Sequence, residues 1–366
     1  MIDRETVRED AKRAFLKAAG LAHAAREPLP ADASTRRYER LRLPSGQTLM
    51  LMDAPPAAES PVCDPAWSEV ERRRAGWNAM ARLAAGRIDA FAATAAFLRE
   101  QGLSAPAIEA IDAAQGLAVI EDFGEGIFAR RIEQGQDAAE LYFAAIDAQA
   151  RLHAASPPAV LSADGLSWPL LAYDAVALKA GADLFVEWLP KLDPSLDLGG
   201  AARAEWDGLW TGIAGRGEAG ATVFAHRDFH AENLLWLPER SGAARVGMID
   251  FQDAVLAHPS WDLHSLLQDA RRDVSPELEQ AALDRYFAQR AGLDREGFLA
   301  DYAALAALNE ARILGVFARL IVRDGKPRYR QFMPRLWRAL DRNLQNPALA
   351  DLKRWFDRHV PAEARQ

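Results

Sequence analysis

Three polar residues near the middle of the chain have the types and the spacing that phosphoryl transfer requires. Asp228 stands in the segment HRDFHAENLL, which also contains Asn233, and Asp250 comes directly after the apolar segment VGMI. A carboxylate can accept a hydrogen bond from an attacking hydroxyl, and carboxylate and amide oxygens bind Mg²⁺. This order is typical of a kinase active site. It predicts Asp228 as the catalytic base, Asn233 and Asp250 as magnesium ligands, and ATP and Mg²⁺ as cofactors.

The surroundings of these residues admit a second interpretation. The histidines on either side of Asp228 could join it and Asp250 in a transition-metal site, which would make the chain a hydrolase and leave Asn233 without a role. Magnesium-dependent ATP turnover would favour the kinase, whereas tightly co-purifying zinc or iron would favour the hydrolase. Asp262, in the segment PSWDL, could brace the loop around Asp228 through hydrogen bonds, or could simply place a charge at the start of a helix.

The elements that position these residues fall into two parts with different hydrophobic patterns. The pattern predicts an α+β, bilobal kinase-like fold, with a small β-containing nucleotide-binding lobe (1–123) and a large, mostly helical catalytic and substrate lobe (124–366). The predicted helices lie at 3–26, within 66–101 with a break near Gly86, and at 137–154, 170–189, 201–214, 277–290, 296–322 and 328–345. The predicted strands lie at 38–43, 49–52, 117–120, 222–225, 233–237 and 245–249, and a proline-rich loop lies at 53–65.

The composition argues against several classes of function. The chain has 366 residues, 50% of them hydrophobic, and a net charge of −8, which is unlike a dedicated nucleic-acid binder. Its single cysteine, Cys63, can form neither an internal disulfide nor a zinc quartet. The N-terminal segment is charged throughout, and no uncharged run reaches the length of a membrane span. We therefore expect a cytoplasmic protein without a nucleic-acid, membrane or obligate protein partner.

The same segments carry a family resemblance. HRDFHAENLL and MIDFQDAVLAHPSWDLHSLL resemble the catalytic and metal loops of the aminoglycoside phosphotransferase-like kinases, the small-molecule relatives of protein kinases. Gln252 stands where protein kinases carry a glycine, which favours the small-molecule branch. DASTRRY, LMDAPP, IEDFG, GVFAR and RDGKPRY are similar to segments of the anomeric sugar kinases of peptidoglycan recycling. That resemblance implies phosphorylation of N-acetylmuramate or N-acetylglucosamine at the anomeric hydroxyl.

The strand LMLMD lacks the lysine with which kinases bind the ATP phosphates. We expect Arg36 and Arg37 to replace it, because they lie where a kinase places its phosphate-covering loop and because arginine donors match phosphate oxygens. Ser34 and Thr35 would add hydroxyl donors to the same loop. The alternative interpretation of the two arginines is a solvated basic pair that flanks a strand.

The resemblance also implies where adenine and the sugar would bind. Glu121 and Phe123 follow a buried strand and would lie in the hinge between the lobes, where the backbone binds adenine. The sugar pocket should face Asp228, and its candidate residues are His230, Glu232, Gln252, Asp253 and Glu187. Two other functions stay open at this point: a kinase of an aminoglycoside, choline or homoserine, and a catalytically weak nucleotide-binding regulator.

Overall fold

A computed structural model describes residues 4–30, 36–55 and 61–365 of the chain. The helices are α1 (Arg4–Ala18), α2 (Glu69–Ala75), α3 (Trp77–Ala81), α4 (Ile88–Glu100), α5 (Phe128–Glu133), α6 (Ala138–Ala154), α7 (Ala175–Leu192), α8 (Gly200–Ala219), α9 (Ser260–Leu267), α10 (Pro276–Gln289), α11 (Arg295–Val322), α12 (Met333–Asn343) and α13 (Ala350–His359). The strands are β1 (Ala25–Pro28), β2 (Arg37–Arg42), β3 (Thr48–Asp53), β4 (Ile108–Asp112), β5 (Leu117–Glu121), β6 (Val160–Ala163), β7 (Leu166–Pro169), β8 (Val223–Ala225), β9 (Leu234–Trp236), β10 (Val246–Met248) and β11 (Val255–Ala257). A strand-containing first part thus precedes a mostly helical second part, as predicted.

The first part is built on a five-stranded antiparallel sheet in the order β1-β2-β3-β5-β4. Successive side chains of a strand point to opposite faces, so β2 and β3 direct Leu41, Leu49 and Leu51 toward α1, where they form a small core with Phe15. The opposite face, which includes Met52, packs against the main hydrophobic core of the chain. The sheet therefore has an outer face covered by α1 and an inner face directed at the second part.

The observed elements differ from the predicted ones at some boundaries. The helix predicted for residues 3–26 ends at Ala18, because Gly20 takes up a left-handed backbone conformation with a φ of 74°. The predicted helical region 66–101 divides at Gly76 and again before α4. The sequence patterns also miss β1, which is largely exposed and therefore lacks a clear alternation of apolar residues.

The second part is organised around the crossing of α7 and α11. Gly315 on α11 lies so close to α7 that a Cβ atom at this position would be 2.3 Å from the carbonyl carbon of Leu184 and 2.4 Å from the nitrogen of Phe185. The Phe185 ring stacks on Trp206 with ring centroids 5.2 Å apart, inside an aromatic core that also includes Trp210. The close backbone contact at Gly315 fixes the path of α11 past the catalytic segment.

A buried ion network joins the helices between β3 and β4 to the second part. The Arg72 guanidinium on α2 donates to the two carboxylate oxygens of Asp174 at 2.6 and 3.2 Å, and Arg82 contacts the same carboxylate at 2.7 Å. Asp174 also caps α7 by accepting a hydrogen bond from the N–H of Ala177 at 2.9 Å. Because loss of Asp174 would leave two largely buried guanidinium groups without their counter-charge, this network holds α2 to α7.

The connection between the two parts runs from Glu121, the last residue of β5, to Phe128, the first residue of α5. We propose the boundary between a nucleotide-binding lobe (1–123) and a catalytic lobe (124–366) in this connection. Among the described residues, no helix has both the length and the apolar character needed to cross a membrane.

Candidate active site

The loop that carries Asp228 connects β8 to β9 and is held in place by Asp262. The Asp262 carboxylate accepts hydrogen bonds from the backbone N–H groups of His226, at 2.7 Å, and Arg227, at 2.9 Å. Arg227 has a φ of 80°, which a residue with a side chain adopts only when its surroundings enforce it. Of the two interpretations of Asp262, these hydrogen bonds show the bracing one, and the residue also lies in the first turn of α9.

Asp228 is ionised at neutral pH in this environment. Burial acts to raise the pKa of its carboxyl group, but the positive charges of Arg312 and Arg227 oppose this effect and help to hold the pKa below its ordinary value. An ionised carboxylate can accept a hydrogen bond from a hydroxyl group and then take its proton. The electrostatics therefore suit the predicted catalytic base.

His226 has a structural role rather than a catalytic one. Its Nε2 atom lies 3.0 Å from the carbonyl oxygen of Ile249, which ties the catalytic loop to the strand that leads to Asp250. Burial lowers the pKa of His226 to about 4, so the ring is neutral at pH 7. Among the residues that the structure describes, no three His, Cys, Asp or Glu side chains come together in a way that could hold a metal ion, so the geometry does not support the transition-metal interpretation.

The two predicted magnesium ligands lie side by side. β9 and β10 form an antiparallel pair, and the Ile249 N–H donates to the Asn233 carbonyl at 3.1 Å, so Asn233 is brought next to Asp250. The Nδ2 atom of Asn233 donates to the Asp228 carbonyl at 2.9 Å, which leaves the amide oxygen to act as a ligand. The Asp250 side chain is 44% exposed, and its backbone has a φ of 65°. One carboxylate and one amide oxygen in an open position fit Mg²⁺, which keeps several waters and phosphate oxygens among its ligands.

Arg36 is the part of the predicted phosphate loop that reaches this site. Its guanidinium donates to Oδ1 of Asp250 at 2.5 Å, and its side chain is only 10% exposed. Arg37, the first residue of β2, is exposed, and strand alternation places it on the outer face with Glu39. Ser34 and Thr35 lie outside the described residues. The structure thus brings Arg36, but not Arg37, to the predicted magnesium ligands.

The side chains of the predicted hinge point away from the catalytic loop. Glu121 pairs with Arg240, accepts a hydrogen bond from the Ala107 N–H at 3.2 Å, and lines a cavity with Ser104 behind the hinge. The ring of Phe123 lies 5.0 Å from the Arg240 guanidinium and packs against the β9–β10 pair. These side chains hold the connection in place, so any contact with adenine falls to the backbone.

A cavity of about 140 Å³ lies beside Asp228 and draws its walls from three separate segments of the chain. Of the predicted sugar-binding residues, His230 lines it. Arg271, which the sequence offered as a possible partner of a lactyl carboxylate or as part of a solvated helix face, lines it as well. The sequence patterns missed five further polar residues of its walls: Ser265, Gln268, Asp269, Asn309 and Arg312. The spacing of Asn309 and Arg312 could have indicated these two residues, because polar residues three positions apart on a helix share one face.

The other predicted sugar-binding residues lie elsewhere. Gln252 donates to Asp250 at 3.1 Å, and the Asp253 carboxylate accepts a hydrogen bond from the Ala84 N–H at 2.5 Å. Glu232 is half-buried and does not line the cavity beside Asp228. Glu187 lines a different cavity, between α7 and α11. Gln252 and Asp253 therefore support the metal loop and its attachment to the first part of the chain.

Comparison with known proteins identifies the class to which this fold and site belong. The phosphotransferase enzyme family profile matches residues 25–308, and the chain belongs to this family. The chain is 60% identical over 360 residues to the N-acetylmuramate/N-acetylglucosamine kinase of Caulobacter vibrioides, with 98% of each chain covered. The family resemblance of the sequence motifs is thereby confirmed.

Solved structures show the same fold at low sequence identity. A choline/ethanolamine kinase family protein from Mesorhizobium loti superimposes with a TM-score of 0.55 and 17% identity, over 95% of this chain and 98% of that one. An ADP-bound aminoglycoside phosphotransferase superimposes with a TM-score of 0.50 and 14% identity, over 95% and 98% of the two chains. The predicted bilobal kinase-like fold is confirmed.

Proposed function

We propose that this chain is an ATP- and Mg²⁺-dependent kinase that phosphorylates the anomeric hydroxyl of N-acetylmuramate and N-acetylglucosamine in cell-wall recycling. One observation carries the chemistry: an ionised Asp228 borders a cavity and lies beside Asn233 and Asp250, which have the oxygen donors that magnesium prefers. The sugar substrates rest on the similarity to the Caulobacter kinase, which extends over nearly the whole of both chains.

The residues of the cavity account for how an acceptor would be held and activated. The anomeric hydroxyl donates a hydrogen bond to the Asp228 carboxylate and transfers its proton there as the new O–P bond forms. One oxygen of the buried Asp269 carboxylate accepts no hydrogen bond within the described part of the chain, so it can accept one from a second sugar hydroxyl. Arg312 donates a hydrogen bond to Oδ1 of Asn309 at 2.9 Å, and its positive charge helps to keep Asp228 ionised.

Asn233 and Asp250 would hold the magnesium ion that neutralises charge on the ATP phosphates. Arg36 is placed to contribute a second cation at the same point, because its guanidinium already binds Asp250. A guanidinium matches phosphate oxygens in fork geometry, so Arg36 can take over part of the role of the absent strand lysine. The nucleotide-binding role of the first part of the chain thus rests on this arginine and on the hinge backbone.

The charges that line the cavity beside Asp228 balance one another. Arg271 and Arg312 lie there together with the carboxylates of Asp228 and Asp269. The choice of a sugar over a choline or aminoglycoside acceptor therefore rests on the similarity to the Caulobacter kinase rather than on the charge of the cavity. The presence of all three predicted catalytic side chains disfavours a regulator that lacks activity.

A panel of acceptors tests the proposal directly. Purified chain with ATP and Mg²⁺ should release ADP in the presence of N-acetylmuramate or N-acetylglucosamine, and the sugar should lose its reducing end. The methyl glycoside of N-acetylglucosamine is the matched control, because it lacks only the anomeric hydroxyl, and it should give no turnover. Turnover of the glycoside, turnover with choline or an aminoglycoside alone, or no turnover with any acceptor would contradict the proposal.

Replacing Arg36 with alanine should raise the KM for ATP by about tenfold or more, because charge-assisted hydrogen bonds to phosphate are lost. The KM for the sugar should stay nearly unchanged, since Arg36 lies at Asp250 rather than in the cavity beside Asp228. Steady-state kinetics with each substrate varied in turn give both values.

Arg37→Ala is the matched control for this substitution, because it removes the same side chain from the next residue on the outer face of the sheet. Its KM for ATP should match that of the wild type. Equal KM values in Arg36→Ala and the wild type would show that another group replaces the lysine.

A further inference from the structure

A second cavity, of about 400 Å³, lies between α3, α7 and α11 and plays no part in the chemistry described above. Its walls include the rings of Trp77 and Trp188, the carboxylate of Glu187 and the guanidinium of Arg319. Aromatic rings beside a few charged groups are typical of small-molecule sites, and the volume falls within their usual range.

Arg319 differs from the other cations of this cavity in its partners. Arg73 pairs with Glu69, Lys179 with Asp183 and Arg323 with Asp324. Arg319 makes no ion pair with any residue that the structure describes, and its buried Nε atom has no hydrogen-bond partner among them. Burial, together with the nearby Arg323, lowers its pKa, although the carboxylates of Asp324 and Glu187 act in the opposite direction. A half-buried guanidinium without a direct ion pair would be stabilised by an anionic group that accepts its hydrogen bonds.

The Trp77 ring helps to orient this guanidinium. The centre of the Arg319 guanidinium lies 5.5 Å from the centroid of the Trp77 ring. A guanidinium held against an aromatic face keeps its N–H groups available at its edge, in the fork geometry that matches a carboxylate. The group that this arrangement fits best is therefore a carboxylate rather than a hydroxyl.

Residues of the second cavity and of the cavity beside Asp228 (the acceptor cavity) lie along one face of α11. Arg312, Val316 and Arg319 follow one another at spacings of four and three residues, so they lie on the same side of the helix. Arg312 and Val316 line the cavity beside Asp228, whereas Arg319 lines the second cavity. The rise of an α-helix separates the two arginines by about 10 Å along its axis, which is the scale of a substituted monosaccharide.

We propose that Arg319 binds the carboxylate of the acceptor's lactyl substituent, which makes the second cavity the subsite that distinguishes N-acetylmuramate from N-acetylglucosamine. The proposal rests on the sugar kinase function proposed above. Glu187 is exposed at the same cavity and suits hydrogen-bond donors of the sugar rather than its carboxylate.

Arg319→Gln tests this assignment, because N-acetylglucosamine lacks the lactyl carboxylate and serves as an internal control. The kcat/KM for N-acetylmuramate should fall by about 10- to 100-fold, the range expected when a hydrogen-bonded charge pair is lost. The kcat/KM for N-acetylglucosamine and the KM for ATP should change little. Arg319→Lys, which keeps the charge, should recover part of the loss, and calorimetric Kd values for the two sugars without nucleotide should follow the same order.

Two further variants make the result specific. Arg295→Gln removes an exposed arginine at the start of the same helix, where it pairs with Asp284, and should leave both sugars unaffected. Arg271→Gln tests the other candidate for binding the lactyl carboxylate, because Arg271 lines the cavity beside Asp228. The assignment would be overturned if Arg271→Gln lost activity with N-acetylmuramate alone while Arg319→Gln showed no such selective loss.

Other outcomes separate this assignment from the proposed function. An equal loss with both sugars, or no loss with either, in folded Arg319→Gln would overturn the subsite while the sugar kinase function stands. A wild-type chain that phosphorylates N-acetylglucosamine but not N-acetylmuramate would also overturn the subsite alone. A wild-type chain that phosphorylates neither sugar would overturn the proposed function and the subsite with it.

Discussion

Replacement of Asp228 with asparagine should lower kcat for the sugar by a factor of about 10²–10⁴, the range for loss of a general base. An amide of the same shape can still accept a weak hydrogen bond from the acceptor hydroxyl, but it cannot take the proton. The KM for ATP should change by less than about threefold, because Asn233 and Asp250 still hold the metal. Steady-state kinetics at saturating ATP and sugar measure both effects.

Asp253→Asn provides the comparison for Asp228→Asn. Asp253 is also a carboxylate close to the metal loop, but it accepts a hydrogen bond from the Ala84 backbone rather than facing the acceptor cavity. Its substitution should lower the melting temperature, because an asparagine oxygen can keep only part of that interaction. It should lower kcat far less than Asp228→Asn does. A kcat for Asp228→Asn within threefold of the wild type, with the fold intact, would remove Asp228 from the catalytic role.

Replacement of Gly315 with alanine should destabilise the chain by about 1–3 kcal/mol or more, the usual penalty for overpacking a close contact. The added Cβ would lie 2.3 Å from the Leu184 carbonyl carbon and 2.4 Å from the Phe185 nitrogen, so the backbones of α7 and α11 must separate. Because backbone atoms cannot rotate away as a side chain can, the strain spreads along both helices. Urea denaturation with an unchanged m-value would give the loss of free energy of unfolding.

Gly212→Ala is the matched control, since Gly212 lies inside α8 and a Cβ atom there would have no neighbour within 4 Å. The same substitution should therefore stabilise the chain by about 0.5–1 kcal/mol through higher helix propensity. Equal effects of the two substitutions on the midpoint of denaturation would show that the α7–α11 contact carries no special constraint.

The catalytic segment could be predicted from the sequence because its geometry is local. Asp228, Asn233 and Asp250 belong to one loop and one hairpin, and strand pairing between β9 and β10 brings the last two together. Short spacing in the chain therefore translates directly into closeness in space. The bilobal fold was predictable for a related reason, since its helices and most of its central strands carry regular apolar patterns.

The acceptor cavity could not be predicted in the same way. Asp269 follows α9 and Arg312 lies on α11, so only the packing of helices brings them to Asp228. That packing depends on the close approach at Gly315, which no local pattern reveals.

Strand alternation alone indicates the direction of two other side chains of the candidate site. Residues an even number of positions apart on a strand point to the same face. Arg37 therefore lies on the outer face with the buried Leu41, and Glu121 lies on the same face with Val119. Both side chains should therefore point away from the cleft between the lobes. The lesson is that a basic or acidic residue near a site must first be assigned to a face of its strand.

The link between Arg72 and Asp174 also determines which parts of the molecule can move against each other. Breaking a buried ion pair by removing one partner costs about 3–5 kcal/mol, so we expect the segment that carries Arg72 to stay with α7 throughout the catalytic cycle. The five-stranded sheet is then the part that we expect to move, relative to a rigid unit that includes residues from both parts of the chain. Nucleotide exchange would require only the sheet to move, while the acceptor cavity and its walls on α9 and α11 stay assembled between turnovers.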